Sequence, residues 1–328
     1  MISIRGKVWF ILLALIRKRI GSLLKVTKSR RIRAASQRWK KNNKFLISEK
    51  FLDKIKVIEF EPKNSDNEGV ILYLHGGGYV TCGPETHASL VTQLSEFTRS
   101  KIIFPEYRLA PKDPFPAAID DCLMVYQELI RNGIDSKNIS LVGDSAGGGL
   151  VMALLQIIQR DNLDTPSSAV LISPWTDLTL SGDSMSSRVD RDPMLMPGKD
   201  MDHVVKSYLD REDPKNPLIS SIFCEDLKLP PMQIHVGTEE ILFDDSVRLF
   251  EKISTGNNVK LEIWDGMFHV FNIFCKGFLA VPEAKKANLQ IANFISENYP
   301  RKEGTNFTAI IDTKIIPIIF NANPALII

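Results

Sequence analysis

Two kinds of apolar pattern alternate along the chain. Short β-rich runs at residues 56–60, 70–74, 101–104, 139–142, 169–173, 232–236 and 259–264 predict strands. Between and after them, residues 116–132, 146–160, 200–208, 244–253 and 282–299 carry the spacing of amphipathic helices. Strands interleaved with helices predict an α/β fold, a mostly parallel sheet covered by helices on both faces. Residues 61–69 (EPKNSDNEG) read as a surface turn joining two strands of a hairpin. Residues 174–199 show little periodicity and are expected to form a long loop over the active face.

The two ends depart from this pattern. The apolar run at residues 8–16 is too short to span a bilayer, which takes about 20 residues. It ends in Arg17-Lys18-Arg19 with no small-residue cleavage site, which argues against a secretory signal. Ile16, Ile20, Leu23, Leu24 and Thr27 then continue at helical spacing on an otherwise basic helix. Such a helix either packs on the body as a cap or lies at a membrane interface. The expected division is a basic helical arm or cap at 1–50, a main domain at 51–304, and an apolar, twice proline-interrupted tail at 305–328 to which no function is assigned.

Charge sharpens the picture of the arm. Residues 1–44 hold 14 lysines and arginines and no acid, while the remainder holds 27 basic and 39 acidic residues. A basic arm on an acidic body favours an anionic membrane face or docking on the body itself. Nucleic acid is disfavoured, because no recognised binding motif accompanies the charge. Cys82, Cys122, Cys224 and Cys275 lie far apart and read as reduced thiols of a cytoplasmic protein.

Candidate chemistry begins at Gly143-Asp144-Ser145-Ala146-Gly147. A G-x-S-x-G match alone is weak, but this one follows a predicted strand and opens a predicted helix, as a nucleophile elbow requires. His75-Gly76-Gly77-Gly78-Tyr79 also follows a strand, and its glycines would leave backbone amides free near a ligand. Together they assign an oxyanion hole to the amides of Gly77, Gly78 and Ala146. A phosphate loop is excluded because no Lys-Ser/Thr follows the glycines. His75 is read as organising its loop rather than moving protons.

At such an elbow the order along the chain is Ser, acid, His. His75 and His87 precede Ser145, and His235 lies within a strand. His203 lies on a helix after the long loop. His269 follows the last predicted strand on a loop opening a helix, which suits a base at the sheet's C-terminal edge. The acid should lie in residues 237–245. There Asp244 and Asp245 suit the start of the next helix, leaving Glu239 and Glu240.

These motifs, in this order, resemble the bacterial hormone-sensitive-lipase family of esterases. The stretches are YLHGGGY at 73–79, PEYRLAP at 105–111, PFPAAIDD at 114–121, GDSAGG at 143–148, SPWTDL at 173–178 and GMFH at 266–269. The resemblance implies an eight-stranded α/β-hydrolase fold, a cap built from the N-terminal segment, and hydrolysis of carboxylic esters without cofactor or metal. The family's Asp-Pro-Leu falls on Glu240-Ile241-Leu242, and a branch with Gly-x-x-Glu points to Glu240 as the acid. An interval to His269 one residue shorter than usual keeps Glu239 as the alternative. Asp144 is read as a scaffold residue, and Arg108 with Glu106, Asp120 and Asp121 as a buried structural ion-pair network.

The expectation is a serine esterase acting on short- to medium-chain esters through an acyl-enzyme, with Ser145, Glu240 and His269 as its triad. The alternatives are an amidase or lactone hydrolase with the same triad, and a catalytically silent ligand-binding relative. The expected partners are a small ester and, through the arm, an anionic membrane at the cytoplasmic face. The sequence leaves the oligomeric state open, with a homodimer as one option, and nucleic acid is not a partner.

Overall fold

The computed structural model describes residues 2–20 and 43–300, apart from 64, 66, 67, 196 and 197. The tail at 305–328 and the Leu23–Thr27 part of the arm pattern lie outside the described residues. Eight strands form one sheet: β1 (Phe45–Leu52), β2 (Ile55–Pro62), β3 (Val70–Leu74), β4 (Lys101–Pro105), β5 (Ile139–Asp144), β6 (Ser168–Ile172), β7 (Met232–Gly237) and β8 (Val259–Trp264). Their order is β1-β2-β4-β3-β5-β6-β7-β8. From β4 to β8 every pairing is parallel, and β1 and β2 add an antiparallel edge.

The helices are α1 (Ile4–Ile20), α2 (Pro84–Thr98), α3 (Ala117–Arg131), α4 (Ala146–Arg160), the single turn α5 (Ser184–Ser187), α6 (Lys199–Leu209), α7 (Phe243–Ile253) and α8 (Pro282–Glu297). Strands β3, β5 and β6 are buried along their whole length, which is why they read as continuous apolar runs rather than alternating ones. One core lies on the face covered by α3, α4 and α7, and a second on the face covered by α2 and α8.

The 61–69 segment is a correction to the sequence reading. It does not join a hairpin: β4 lies between β2 and β3, antiparallel to one and parallel to the other. Turn residues mark where a chain leaves a strand and carry no information on its next partner. The hairpin is β1–β2, closed by Asp53 and Lys54 between the paired Leu52 and Ile55. β1 also crosses residue 50, where the arm was expected to end.

Helix α1 packs on the body. Leu13 is buried among Met267, Phe268, Phe271 and Val281, and burying a leucine contributes about 1.5–3 kcal/mol. The Ser3 amide and hydroxyl donate to the Glu283 carboxylate at 2.6 and 2.7 Å, and Trp9 Nε1 donates to the Leu279 carbonyl at 2.7 Å. The helix therefore rests on the loop that carries His269.

Candidate active site

The C-terminal ends of the parallel strands converge on one edge of the sheet, the place where open α/β sheets bind ligands. β5 delivers Ser145 at φ 52° and ψ −122°, a conformation that costs a non-glycine residue of the order of 1–3 kcal/mol. The neighbouring glycines make that turn sterically feasible. A Cβ on Gly147 would lie 1.9 Å from the Leu74 carbonyl oxygen, and one on Gly143 would lie 2.3 Å from the Gly147 carbonyl oxygen.

The other sequence-predicted residues meet Ser145. His269 Nε2 lies 3.0 Å from Ser145 Oγ, and His269 Nδ1 lies 2.9 Å from Glu240 Oε2. All three side chains are buried. Glu240 is held through its other oxygen, which accepts from the Gly237 amide at 2.6 Å and the Ser173 hydroxyl at 2.8 Å. Ser173 Oγ also accepts from the Val270 amide, so one hydroxyl ties the acid loop to the histidine loop. Ser173 opens the SPWTDL stretch at 173–178, but sequence reasoning missed its role because that stretch does not show which loops its hydroxyl joins.

Glu239 turns elsewhere. It takes a two-pronged ion pair from Arg191 at 2.8 and 2.6 Å and a hydrogen bond from the Thr238 hydroxyl. The geometry thus separates the two glutamates that the residues alone left open.

The glycine run passes beside the serine. Gly77 has φ 111° and Gly78 φ 62°. The amides of Gly77 and Gly78 enter no hydrogen bond among the described residues, while Ala146 begins α4, whose first amides have no helical acceptor. Gly76 donates its amide to Asp144 Oδ1 at 3.1 Å, which ties the run to the elbow. Asp144 also accepts from Tyr73 Oη at 2.7 Å and pairs with His87 Nε2 at 3.1 Å. Burial pushes the Asp144 carboxyl up, but His87 and Tyr73 outweigh it and its pKa falls below the ordinary range. Burial opposes the His87 cation, yet Asp144 overcomes this and raises the His87 pKa. The two form a buried hydrogen-bonded pair, and His87 is a scaffold residue the sequence did not expose.

His75 stacks on Phe104 and Tyr107, with Nδ1 2.6 Å from the Gly76 carbonyl oxygen. Burial and the neighbouring His87 push its pKa down to about 3, so it stays neutral. The ion-pair network expected around Arg108 is smaller than predicted. Arg108 clasps Asp121 with contacts of 2.7 and 3.0 Å, but is itself half-exposed, and Glu106 pairs with Lys56 instead. Among the described residues no cluster of three His, Cys, Asp or Glu side chains could hold a metal ion.

The chain matches the α/β-hydrolase fold family over residues 71–273, more than half its length. It is 38% identical to an esterase of Acinetobacter venetianus over 69% of this chain and 74% of that one. It is 36% identical to an acetyl-hydrolase of Streptomyces hygroscopicus over 66% of this chain and 72% of the relative. Among solved structures, a hormone-sensitive lipase from a metagenome library superposes with a TM-score of 0.83 at 35% identity, covering 89% of this chain and 98% of its own. An esterase soaked with p-nitrophenyl butyrate gives 0.80 at 32% identity, covering 90% and 99%. The chain belongs to the α/β-hydrolase fold family, within its hormone-sensitive-lipase group of esterases.

Two predictions follow from the site's geometry. Glu240→Gln should lower kcat by about 10³–10⁴-fold, whereas Glu239→Gln breaks a half-exposed ion pair and should cost less than about fivefold. Steady-state kinetics on a p-nitrophenyl ester decides, and the reverse ranking would transfer the role to Glu239. The second concerns pH. Burial disfavours the His269 imidazolium, but Glu240, Asp192 and Asp144 together outweigh it and raise its pKa above the ordinary value of 6.5. A base must be neutral to accept a proton, so kcat/KM should rise with pH through an ionisation above that value. A limb below it would contradict the assignment.

Proposed function

We propose that this carboxylic-ester hydrolase works by nucleophilic catalysis from Ser145. His269 Nε2 removes the hydroxyl proton as Ser145 Oγ attacks the ester carbonyl. Glu240 holds the imidazole through Nδ1 and stabilises the imidazolium that forms. The amides of Gly77, Gly78 and Ala146 take up the charge on the carbonyl oxygen. His269 then protonates the departing alkoxide, and water, activated by the same imidazole, releases the acid from the acyl-enzyme. One observation carries the reading: an unbroken line of contacts, 3.0 and 2.9 Å long, runs from a strained serine through the imidazole to a buried carboxylate. The substrates are esters of short to medium acyl chains, supported by relatives named acetyl-hydrolase and by the butyrate ester soaked into a structural neighbour.

A second reading concerns location. No described helix is long and apolar enough to cross a membrane. The outward face of α1 nevertheless carries Ile4, Ile11 and Leu15, which are 82%, 58% and 58% exposed, opposite the buried Leu13. These positions share one helical face, in a segment whose first 44 residues hold 14 basic and no acidic residues. An apolar face with surrounding lysine and arginine suits the interface of an anionic bilayer, where each basic residue near the surface contributes about 1 kcal/mol. We propose on these grounds that the protein works in the cytoplasm, at the inner membrane face. Four unpaired cysteines, three of them buried, fit a reducing compartment.

Ser145→Ala and His269→Ala should keep the wild-type circular dichroism spectrum and lose p-nitrophenyl butyrate hydrolysis by at least about 10³-fold. Near-wild-type turnover in either folded variant would remove the mechanism. A series of p-nitrophenyl esters should give its highest kcat/KM at short to medium acyl length, and a maximum on long chains would overturn the substrate class. For location, the protein should sediment with anionic vesicles and not with neutral ones. Ile11→Asp with Leu15→Asp should release it while hydrolysis of a soluble ester continues, and undiminished binding by that variant would refute the helix face as the contact.

A further inference from the structure

The segment after β6 crosses the loop that carries Glu240 and is fastened to it repeatedly. Ser184 Oγ donates to the Ile241 carbonyl at 2.6 Å, and the Ser184 amide donates to Asp244 Oδ2 at 2.7 Å. Arg188 donates to the Thr238 carbonyl, and Arg191 makes the two-pronged pair with Glu239. Thr238 and Glu239 lie at the rim and Asp244 starts the next helix, whereas the Ile241 carbonyl is buried directly behind Glu240. Asp192 reaches that same residue with a carboxylate. Its side chain is fully buried, and Oδ2 accepts from the Ile241 amide at 3.0 Å, the residue directly after Glu240.

An ordinary loop turn accounts for only half of this carboxylate. Oδ1 accepts from the amides of Met194 and Leu195 at 2.8 and 3.0 Å, the local pattern by which an aspartate closes its own turn. Oδ2 is not needed for that turn, and it reaches 49 residues along the chain to the backbone that aims Glu240. Burying a carboxylate is costly, and an apolar residue at a loop bend would avoid that cost.

We infer that Asp192 is a positioning residue for the ester-hydrolysing triad, holding the backbone behind Glu240 at the distance from which its carboxylate meets His269. The inference rests on the esterase reading above and deepens it. Position and charge act together. His269 faces carboxylates from three elements, Glu240 after β7, Asp144 at the end of β5 and Asp192 in the crossing segment, and each favours its protonated form. Burial raises the Asp192 pKa, His269 opposes that rise, and Glu240 adds to it.

Asp192→Asn provides the test, because an amide keeps one acceptor oxygen and cannot serve both the turn and Ile241. A loop displaced by a fraction of an ångström should lower kcat about 10–100-fold with KM for a p-nitrophenyl ester nearly unchanged. Loss of the charge should also shift the acid limb of kcat/KM to lower pH. A purely structural role would lower Tm while leaving the kcat and acid limb of the folded enzyme at wild-type values, and that result overturns the inference. Arg191→Ala, on the same segment but at the rim, should cost less than about fivefold; a loss as large as that of Asp192→Asn would also count against it. Should Asp192→Asn not fold, Asp192→Glu keeps the charge but moves it. Reduced kcat with a wild-type acid limb then supports the inference, and wild-type kcat refutes it. Ser145→Ala, assayed alongside, separates the two claims: if it stays active the mechanism itself fails, whereas if it is inactive and Asp192→Asn is normal only the Asp192 role fails.

Discussion

Ser145 is held in a backbone conformation that its side chain disfavours, and the arrangement of the active edge depends on that strain being maintained. At φ 52° the residue turns sharply between β5 and α4, so its hydroxyl projects from the sheet edge while its carbonyl accepts from the Gly148, Gly149 and Trp175 amides. Its own amide donates to the Ile172 carbonyl at 2.8 Å. The turn closes only because Gly143 and Gly147 present no side chain where β3, β5 and α4 approach. A buried, paired parallel sheet makes the strain affordable, since relaxing the turn would require breaking strand pairings on both sides of β5.

Charge is handled in two separate compartments behind that turn. On one side Asp144 pairs with His87 and ties the glycine run to the elbow. On the other, Glu240, Ser173 and Asp192 surround the imidazole and its supporting loop. The first compartment fixes where an oxyanion would sit, and the second fixes where a proton would go. Asp144 thus spends its hydrogen bonds on the scaffold, while Glu240 bonds the imidazole of His269 directly.

How much of this was legible in the chain follows from burial. The parallel strands are apolar on both faces, so β3, β5 and β6 stood out as unbroken runs. β1 did not, because an edge strand with mostly exposed residues has no such run. α2 escaped for another reason: its buried residues include Thr92, Gln93 and Thr98, and the two threonines return their hydroxyls to the carbonyls of Ala88 and Leu94. A polar sequence was therefore hiding a buried helix. The glycine-bearing motifs named Ser145 and the 75–78 loop because backbone approach leaves a mark in residue type. The choice between Glu239 and Glu240 left no such mark, since it turns on Arg191, 48 residues earlier, capturing one of them. Ser173, His87 and Asp192 act through contacts between distant segments; no local pattern announces His87 or Asp192, and the SPWTDL stretch marks Ser173 without its partners.

Covalent labelling of the nucleophile tests the account at its centre. Treatment with diethyl p-nitrophenyl phosphate, followed by peptide mass spectrometry, should find one phosphoryl group per chain on the peptide containing Ser145, with activity lost in proportion to labelling. Stoichiometric labelling elsewhere, or full activity in protein labelled at Ser145, would contradict it.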